Sequence, residues 1–389
     1  MESPPRTLYP RLSAFYLFYF GSLGALVPYW GLYLQGLAFQ PEQIGQLSAI
    51  FSTTRIIAPN IWGWIGDHTG RGMVVVRFAC GLALISFLGV LGTEDFAGLA
   101  AVMVSFTFFW NAALPQTEAT VLNHLGPRRY SSVRLWGSIG FIIAVLAMGL
   151  LLDYWGISYL PWVLIGFYLA LWLTSLTVPD APRPQLQQKT ESLRYILLRW
   201  EVWAFLLMTL LMQASHGPYY TFFSIHLSQH NYPRIFISGL WALGVLAEIG
   251  VFLFMNRWIS RHGVQWILQF VMILAALRWV IIGTCADRPL LLLAAQLLHG
   301  ATFGAYHGAA IHLVHQYFTG RYQVRGQALY GSLGFGAGGA LGSLYSGYAW
   351  QGWGAEITFC SAALLSLVAL GLARWGITAM VRSPSPLPQ

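Results

Sequence analysis

The chain has 389 residues, of which 57% are hydrophobic and only 9% charged, and its mean hydropathy is +0.59. A soluble globular chain carries about a quarter charged residues, so this one lacks the polar surface to dissolve in water and reads as an all-α polytopic membrane protein. The formal charge of +8 invites a nucleic-acid reading, which the placement of the cations removes.

A helix needs about 20 mostly apolar residues to cross the hydrocarbon core. That ruler predicts twelve spans, at about 12–36, 42–65, 73–93, 97–122, 133–153, 157–178, 202–228, 235–256, 264–285, 289–316, 326–349 and 355–377. The first apolar run has no cleavage site behind it, so it is expected to be retained as a signal-anchor. The expected organisation is an N-terminal six-helix bundle over 1–178, a cytoplasmic linker over 179–201 and a C-terminal six-helix bundle over 202–389. The linker is rich in Pro, Gln and charge and builds no core of its own. Cys80, Cys285 and Cys360 stand singly in apolar stretches, so neither a disulfide framework nor a metal site is expected.

Alternate loops differ in basicity. One set holds Arg6, Arg11, Arg71, Arg77, Arg128, Arg129, Arg183, Lys189, Arg194, Arg199, Arg257, Arg261, Arg321, Arg325, Arg374 and Arg382. The other holds Arg234 and Arg288 among the acids Glu42, Glu94, Asp95, Asp153, Asp287 and Glu356. Cytoplasmic loops collect Lys and Arg, so both termini are expected in the cytoplasm of a cell whose inner membrane the chain spans. The cations are then an orientation signal and an attraction to anionic headgroups, and no nucleic acid is needed.

One phrase occurs twice, GSIGF at Gly137–Phe141 and GSLGF at Gly331–Phe335, 194 positions apart. Each copy follows an Arg-Tyr pair and an aromatic residue: Arg129-Tyr130 and Trp136 before the first, Arg321-Tyr322 and Tyr330 before the second. A second echo pairs PYWGLYLQ at Pro28–Gln35 with PYYTFFSIHLSQ at Pro218–Gln229. Two six-span halves that start from the same side are parallel repeats.

The loop after the second span, Gly63-Trp-Ile-Gly-Asp67-His68-Thr69-Gly70-Arg71, resembles the signature of the major facilitator superfamily. His68 and Gly72 depart from that signature's basic residues. The resemblance implies a gate motif in Gly63, Asp67, Gly70 and Arg71, with the aspartate near a helix N-terminus, where the dipole favours negative charge. Pro115–Glu118 and Val133–Gly137 are similar to the lactose permease branch of proton symporters, in which the matching Glu and Arg belong to the substrate site. Arg278 and His299 resemble that branch's span-nine arginine and span-ten histidine. Its acid one turn after the histidine is replaced here by Thr302. The likeness extends over nearly the whole chain to the 3-phenylpropionate permease family, through VRLWGS, LGVLAE, LRWVIIG and LLHGATFGAYH.

Ionisable groups inside spans are costly, by about 2.5–3.5 kcal/mol each on insertion scales, and mark cavities or partners. Here they are Arg55, Glu118, Arg134, Glu248 and Arg278, with His216, His226, His299 and His307. Three arginines face two carboxylates, a surplus that favours an anionic ligand. Substrate contacts are expected from Arg55, Asn111, Glu118, Arg134, Arg278, Tyr29, Trp241 and His216, and proton coupling from Glu118, Glu248, His299 and His307. Arg55 can instead hold two helices together, and Glu118–Arg134 and Glu248–Arg278 can be structural pairs; the sequence leaves both readings open. His299 and His307 project to similar sides of one helix, and Asn111 shares a face with Glu118.

The expectation is a monomeric secondary transporter in a lipid bilayer, without cofactor or metal. It would take up a small aromatic carboxylate with protons, by alternating access. A neutral sugar or nucleoside is the alternative cargo. No H-E-x-x-H, G-x-S-x-G or Walker loop occurs, so an enzyme is not expected.

Overall fold

The computed structural model describes residues 7–180 and 194–377, with the backbone but not the side chains of Pro127, Arg128 and Arg321. Arg6, Arg183, Lys189, Arg382 and most of the expected linker lie outside the described residues. Every regular element described is helical: α1 Leu8–Leu26, α2 Trp30–Gly36, α3 Pro41–Thr69, α4 Gly72–Leu88, α5 Phe96–Trp110, α6 Ala113–Trp155, α7 Leu160–Thr177 and α8 Arg194–Leu197. The chain continues through α9 Trp200–Ser215, α10 Gly217–Gln229, α11 Arg234–His262, α12 Val264–Thr284, α13 Pro289–His299, α14 Tyr306–Tyr317, α15 Gln323–Tyr330 and α16 Gly339–Gly376. Each of the twelve expected spans falls on one of these helices or on a consecutive pair.

Eight described stretches are long and apolar enough to cross a membrane on their own, or nine if α1 and α2, bent by 41°, count as one. The lower count has physical causes. The stretch Gln323–Gly376 runs for 54 residues and breaks at Gly354, where φ is +79°. At about 1.5 Å per residue it is long enough for two crossings of a core about 30 Å thick. Helix α3, which holds the expected second span, carries Glu42, Arg55 and Asp67, and the seventh span is interrupted at His216.

Three interruptions have a readable cause. Spans one, four and seven break near Val27–Tyr29, Asn111–Ala112 and His216. Pro28, Pro115 and Pro218 stand at or just after these breaks. A proline inside a helix removes one i→i−4 hydrogen bond and crowds the preceding turn. Span ten has no proline near its interruption and instead widens into a π-helical turn at Gly300–Ala305. Such turns recur at functional sites.

The backbone repeats as the sequence does. The residues with positive φ are Ala38, Gly70, Gly126 and Gly156, then Asn231, Gly263, Gly320 and Gly354. They pair in order at separations of 193, 193, 194 and 198 residues. The recurring phrase does the same work in each half. At Gly140 an added Cβ would strike the backbone of Leu17, so α6 rests directly on α1. At Gly334 it would meet Thr209 Cγ2 at 2.6 Å, so the second copy rests on α9. Glycine permits both approaches.

Two compact units emerge. One joins the described part of Met1–Leu186 to Tyr220–Ala242; the other joins that of Gln187–Tyr219 to Leu243–Gln389. In the first, α4 and α7 cap each other. The Asp180 carboxylate accepts the Met73 N–H at 2.7 Å, while the Arg77 guanidinium donates to the carbonyls of Val178 (2.7 Å) and Ser175 (3.4 Å). Helix ends leave such groups unsatisfied, and here each helix supplies what the other lacks.

Candidate functional site

The first unit gathers its polar side chains around α3, α5 and α6. Arg134 Nη1 donates to Glu118 Oε1 at 3.1 Å, an ion pair across the Gly126 break in α6. Tyr130 stands between them: its hydroxyl donates to the same Oε1 at 2.8 Å and accepts from Arg134 Nη1 at 3.2 Å. The group is half open, with 48% of the Arg134 side chain and 31% of that of Glu118 exposed. Charge-assisted bonds of this kind are strong in a dry site and weaker where solvent reaches them.

Beside it runs a ladder of neutral donors. Asn111 Nδ2 donates to Thr54 Oγ1, and Thr54 Oγ1 donates to Thr107 Oγ1, both at 2.9 Å. Thr107 in turn donates to the Met103 carbonyl at 2.6 Å. Next to Thr54, the half-buried guanidinium of Arg55 lies 4.7 Å above the Phe51 ring. It has no hydrogen-bond or ion-pair partner among the described residues. Phe51 lies 5.5 Å from Trp110, which stacks on Tyr19 at 4.3 Å. Tyr19 and Tyr220 are both within electrostatic reach of Arg55. An uncompensated cation in an aromatic setting is costly unless a ligand or water supplies the counter-charge.

Other expected contacts of this unit fall elsewhere within it. The buried Tyr29 hydroxyl donates to the Val145 carbonyl at 3.1 Å. Trp241 Nε1 donates to Ser224 Oγ at 3.0 Å, and its ring stacks on Tyr220. The Asp153 carboxylate accepts the N–H groups of Arg234 and Ile235, each at 3.0 Å, and so caps the start of α11. In the gate motif, Gly70 ends α3 in the left-handed conformation with φ +66°, a C-cap that suits glycine. Asp67 and Arg71 are exposed there, and Gly63 has open space beside it.

The second unit is built differently. Arg278 on α12 is fully buried. Its Nε donates to the Ala295 carbonyl at 3.0 Å, Nη1 to Thr302 Oγ1 at 3.3 Å and Nη2 to Gln296 Oε1 at 3.5 Å. The Tyr219 and Trp279 rings lie 4.3 and 4.5 Å from the guanidinium carbon, and Tyr219 also donates to Gln296 Oε1 at 3.0 Å. Thr302, standing where the lactose permease branch has an acid, is thus an acceptor for the arginine. His216 donates from Nδ1 to the Met212 carbonyl at 2.8 Å and packs its ring against Trp279.

Along span ten, His299, Phe303 and His307 form one stacked column, with ring centroids 5.4 and 6.4 Å apart. Nδ1 of His307 meets the Tyr330 hydroxyl at 2.9 Å. Glu248 reaches the same π turn: a Cβ at Gly304 would lie 3.0 Å from its Cγ. No cluster of His, Cys, Asp and Glu fit to hold a metal occurs among the described residues.

Sequence reasoning named the charges and missed what surrounds them. Tyr130, Thr54, Thr107, Gln296 and Tyr19 were not singled out. Tyr130 was findable, since it stands four residues before Arg134 on one helix face. The others are neutral residues in apolar text and carry no signal of their own.

Broken helices, half-open ion pairs and buried polar clusters inside apolar helices define a polytopic α-helical carrier of small molecules. The chain belongs to the MFS_1 like family, whose model matches residues 9–361. A probable 3-phenylpropionic acid transporter of Escherichia coli (strain K12) is 29% identical over 367 residues, covering 92% of this chain and 95% of that protein. Maltose permease of Geobacillus stearothermophilus is 26% identical over 370 residues, covering 90% and 88%. In fold, the crystal structure of nucleoside transporter NupG superposes with a TM-score of 0.81 over 97% of this chain and 99% of that one, at 16% identity. The chain is therefore an MFS-type transporter.

Proposed function

We propose that this transporter couples inward movement of protons to uptake of a small aromatic carboxylate, phenylpropionate-like, across the inner membrane. In this reading the two six-helix halves, 1–178 and 202–389, work by alternating access, with both termini in the cytoplasm. The observation that carries the reading is Arg55, a half-buried cation without a partner among the described residues, laid on Phe51 beside Trp110 and Tyr19. A guanidinium fork takes a carboxylate in two hydrogen bonds, and offset aromatic stacking holds the ring. The 29% identical probable 3-phenylpropionic acid transporter adds support.

Glu118 is the proton-exchanging group in this scheme. Its carboxylate shares Arg134 and Tyr130, so a substrate carboxylate competing for Arg134 changes what holds the proton. Glu248, His299 and His307 would carry or relay protons in the second unit. Asp67, Arg71 and the glycines around them would brace the closed state.

The test is uptake of labelled 3-phenylpropionate by proteoliposomes under an imposed pH gradient. Accumulation is expected with the wild type and only downhill exchange with Glu118→Gln. Indifference to the gradient ends the symport reading, and undiminished accumulation by E118Q ends the assignment.

A second reading rests on the Thr54–Thr107–Asn111 ladder, which offers neutral donors and acceptors suited to hydroxyl groups. It fits a sugar or nucleoside cargo, as carried by maltose permease and NupG. Competition of unlabelled maltose, uridine and 3-phenylpropionate against the labelled acid separates the two.

A further inference from the structure

Apart from these polar clusters, the second unit holds a cavity of about 930 Å³ where the ends of α11, α14 and α16 meet the start of α12. Its polar lining is His262, Gln265, Gln269, His312, Gln316 and Arg374. No carboxylate lines it among the described residues. Arg374 is exposed and has no hydrogen-bond or ion-pair partner among the described residues. Gln316 Nε2 lies 3.1 Å from His312 Nε2, so donors and titratable nitrogens crowd one wall.

Two tryptophans flank these groups. Trp266 is 50% and Trp375 78% exposed. Trp266 stacks on His262 at 4.9 Å on one side and on Phe270 at 5.0 Å on the other. That series runs from a polar group at the end of α11 to an apolar ring on α12. Tryptophan gathers at headgroup depth in membranes.

We propose that this cavity binds the phosphate of an anionic phospholipid in the cytoplasmic leaflet. The assignment rests on the orientation proposed above, which puts the ends of α11, α14 and α16 on the cytoplasmic side. Arg374 supplies the fixed positive charge, His262 and His312 further nitrogens, and the glutamines neutral donors to phosphate oxygens. Basic pockets between helices on that side recognise such headgroups. The competing account is that Arg374 and His262 merely complement the dipoles of the helices they terminate. It explains their placement, but not a cavity between three helix ends that no acid lines among the described residues. The first turn of α12 also borders the cavity and lacks a side-chain cap; it supplements the cations and does not replace them.

The experiment is native mass spectrometry of the full-length protein in micelles doped with phosphatidylglycerol or phosphatidylcholine. Phosphatidylglycerol is expected to be retained at least about tenfold better. Arg374→Gln should weaken that retention about fivefold, while Arg374→Lys should keep most of it. Gln269→Glu, which adds a negative charge without removing a cation, should weaken it too, and it decides the matter if R374Q does not fold. Millimolar inorganic phosphate should displace nothing. Equal retention of the two lipids, insensitivity to both R374Q and Q269E, or displacement by phosphate alone would each overturn the proposal. Uptake of phenylpropionate takes no part in these readouts, so this inference and the transport reading fail separately.

Discussion

Two arginines buried in apolar helices make opposite use of the same side chain. Arg278 is fully buried and its guanidinium donates to Ala295, Thr302 and Gln296 while lying against two rings. Arg55 is half-buried, rests on a single ring and has no polar partner among the described residues. A guanidinium whose donors are already engaged has little left for a ligand, whereas an unengaged one lowers its free energy by acquiring a ligand. Under the proposed function, Arg278 would hold α12 and α13 together and Arg55 would exchange with cargo.

The largest effect should follow Arg278→Ala. It strips three buried neutral acceptors of their donor, at a cost of about 1–3 kcal/mol each, and the purified protein should melt far lower or fail to accumulate. Preserved melting with lost transport would instead put Arg278 in the ligand set and erase the contrast. Next comes Arg55→Gln. Apparent affinity for the acid should fall about ten- to a hundredfold with the melting temperature unchanged or raised, because a charge without a counter-charge has been removed. Equilibrium binding and thermal melting on the same preparation check both halves of that statement.

Tyr130→Phe is expected to be milder. It removes the two hydrogen bonds of that hydroxyl from a half-exposed cluster, together worth about 1 kcal/mol where solvent screens them, so half-saturation of uptake should rise about three- to tenfold with folding intact. An effect as large as that of E118Q would make the phenol part of the proton path itself. The smallest effect is a baseline outside both clusters. Asp95 caps α5, accepting the Gly98 N–H at 2.9 Å and the Thr93 hydroxyl at 2.7 Å, and these bonds hold its carboxyl below the usual carboxylate range. A depressed folded-state value means its stabilisation is present above the unfolded value and fades as pH falls through the folded one. Asp95→Asn should therefore melt slightly lower than wild type at neutral pH, with the gap closing in strong acid.

The positions of the charges were legible in the text. Arg55, Glu118, Arg134, Glu248 and Arg278 stand out because so little else in the spans is charged. Their surroundings were not legible. Thr54, Thr107 and Gln296 are ordinary residues whose importance comes from contacts across helices, over separations of 53 residues for Thr54–Thr107 and 18 for Arg278–Gln296. Tyr29 illustrates the converse. It was expected to line a site as an aromatic residue beside polar positions, and nothing in the sequence pointed to the bond its hydroxyl makes with the Val145 carbonyl 116 residues away.

What the sequence determined by itself was local and periodic. Hydropathy found the helices on which every span was expected, because a backbone in hydrocarbon must satisfy its own hydrogen bonds and only a helix does so within one segment. Pro28, Pro115 and Pro218 accounted for three of the breaks. The phrase GSxGF marked two equivalent helix contacts, since only a residue without a Cβ admits a neighbouring helix so closely. The tertiary structure decided which polar groups are engaged and which are open. That depends on distances between atoms far apart in the chain, and two arginines that read alike in sequence are separated only by what packs around them.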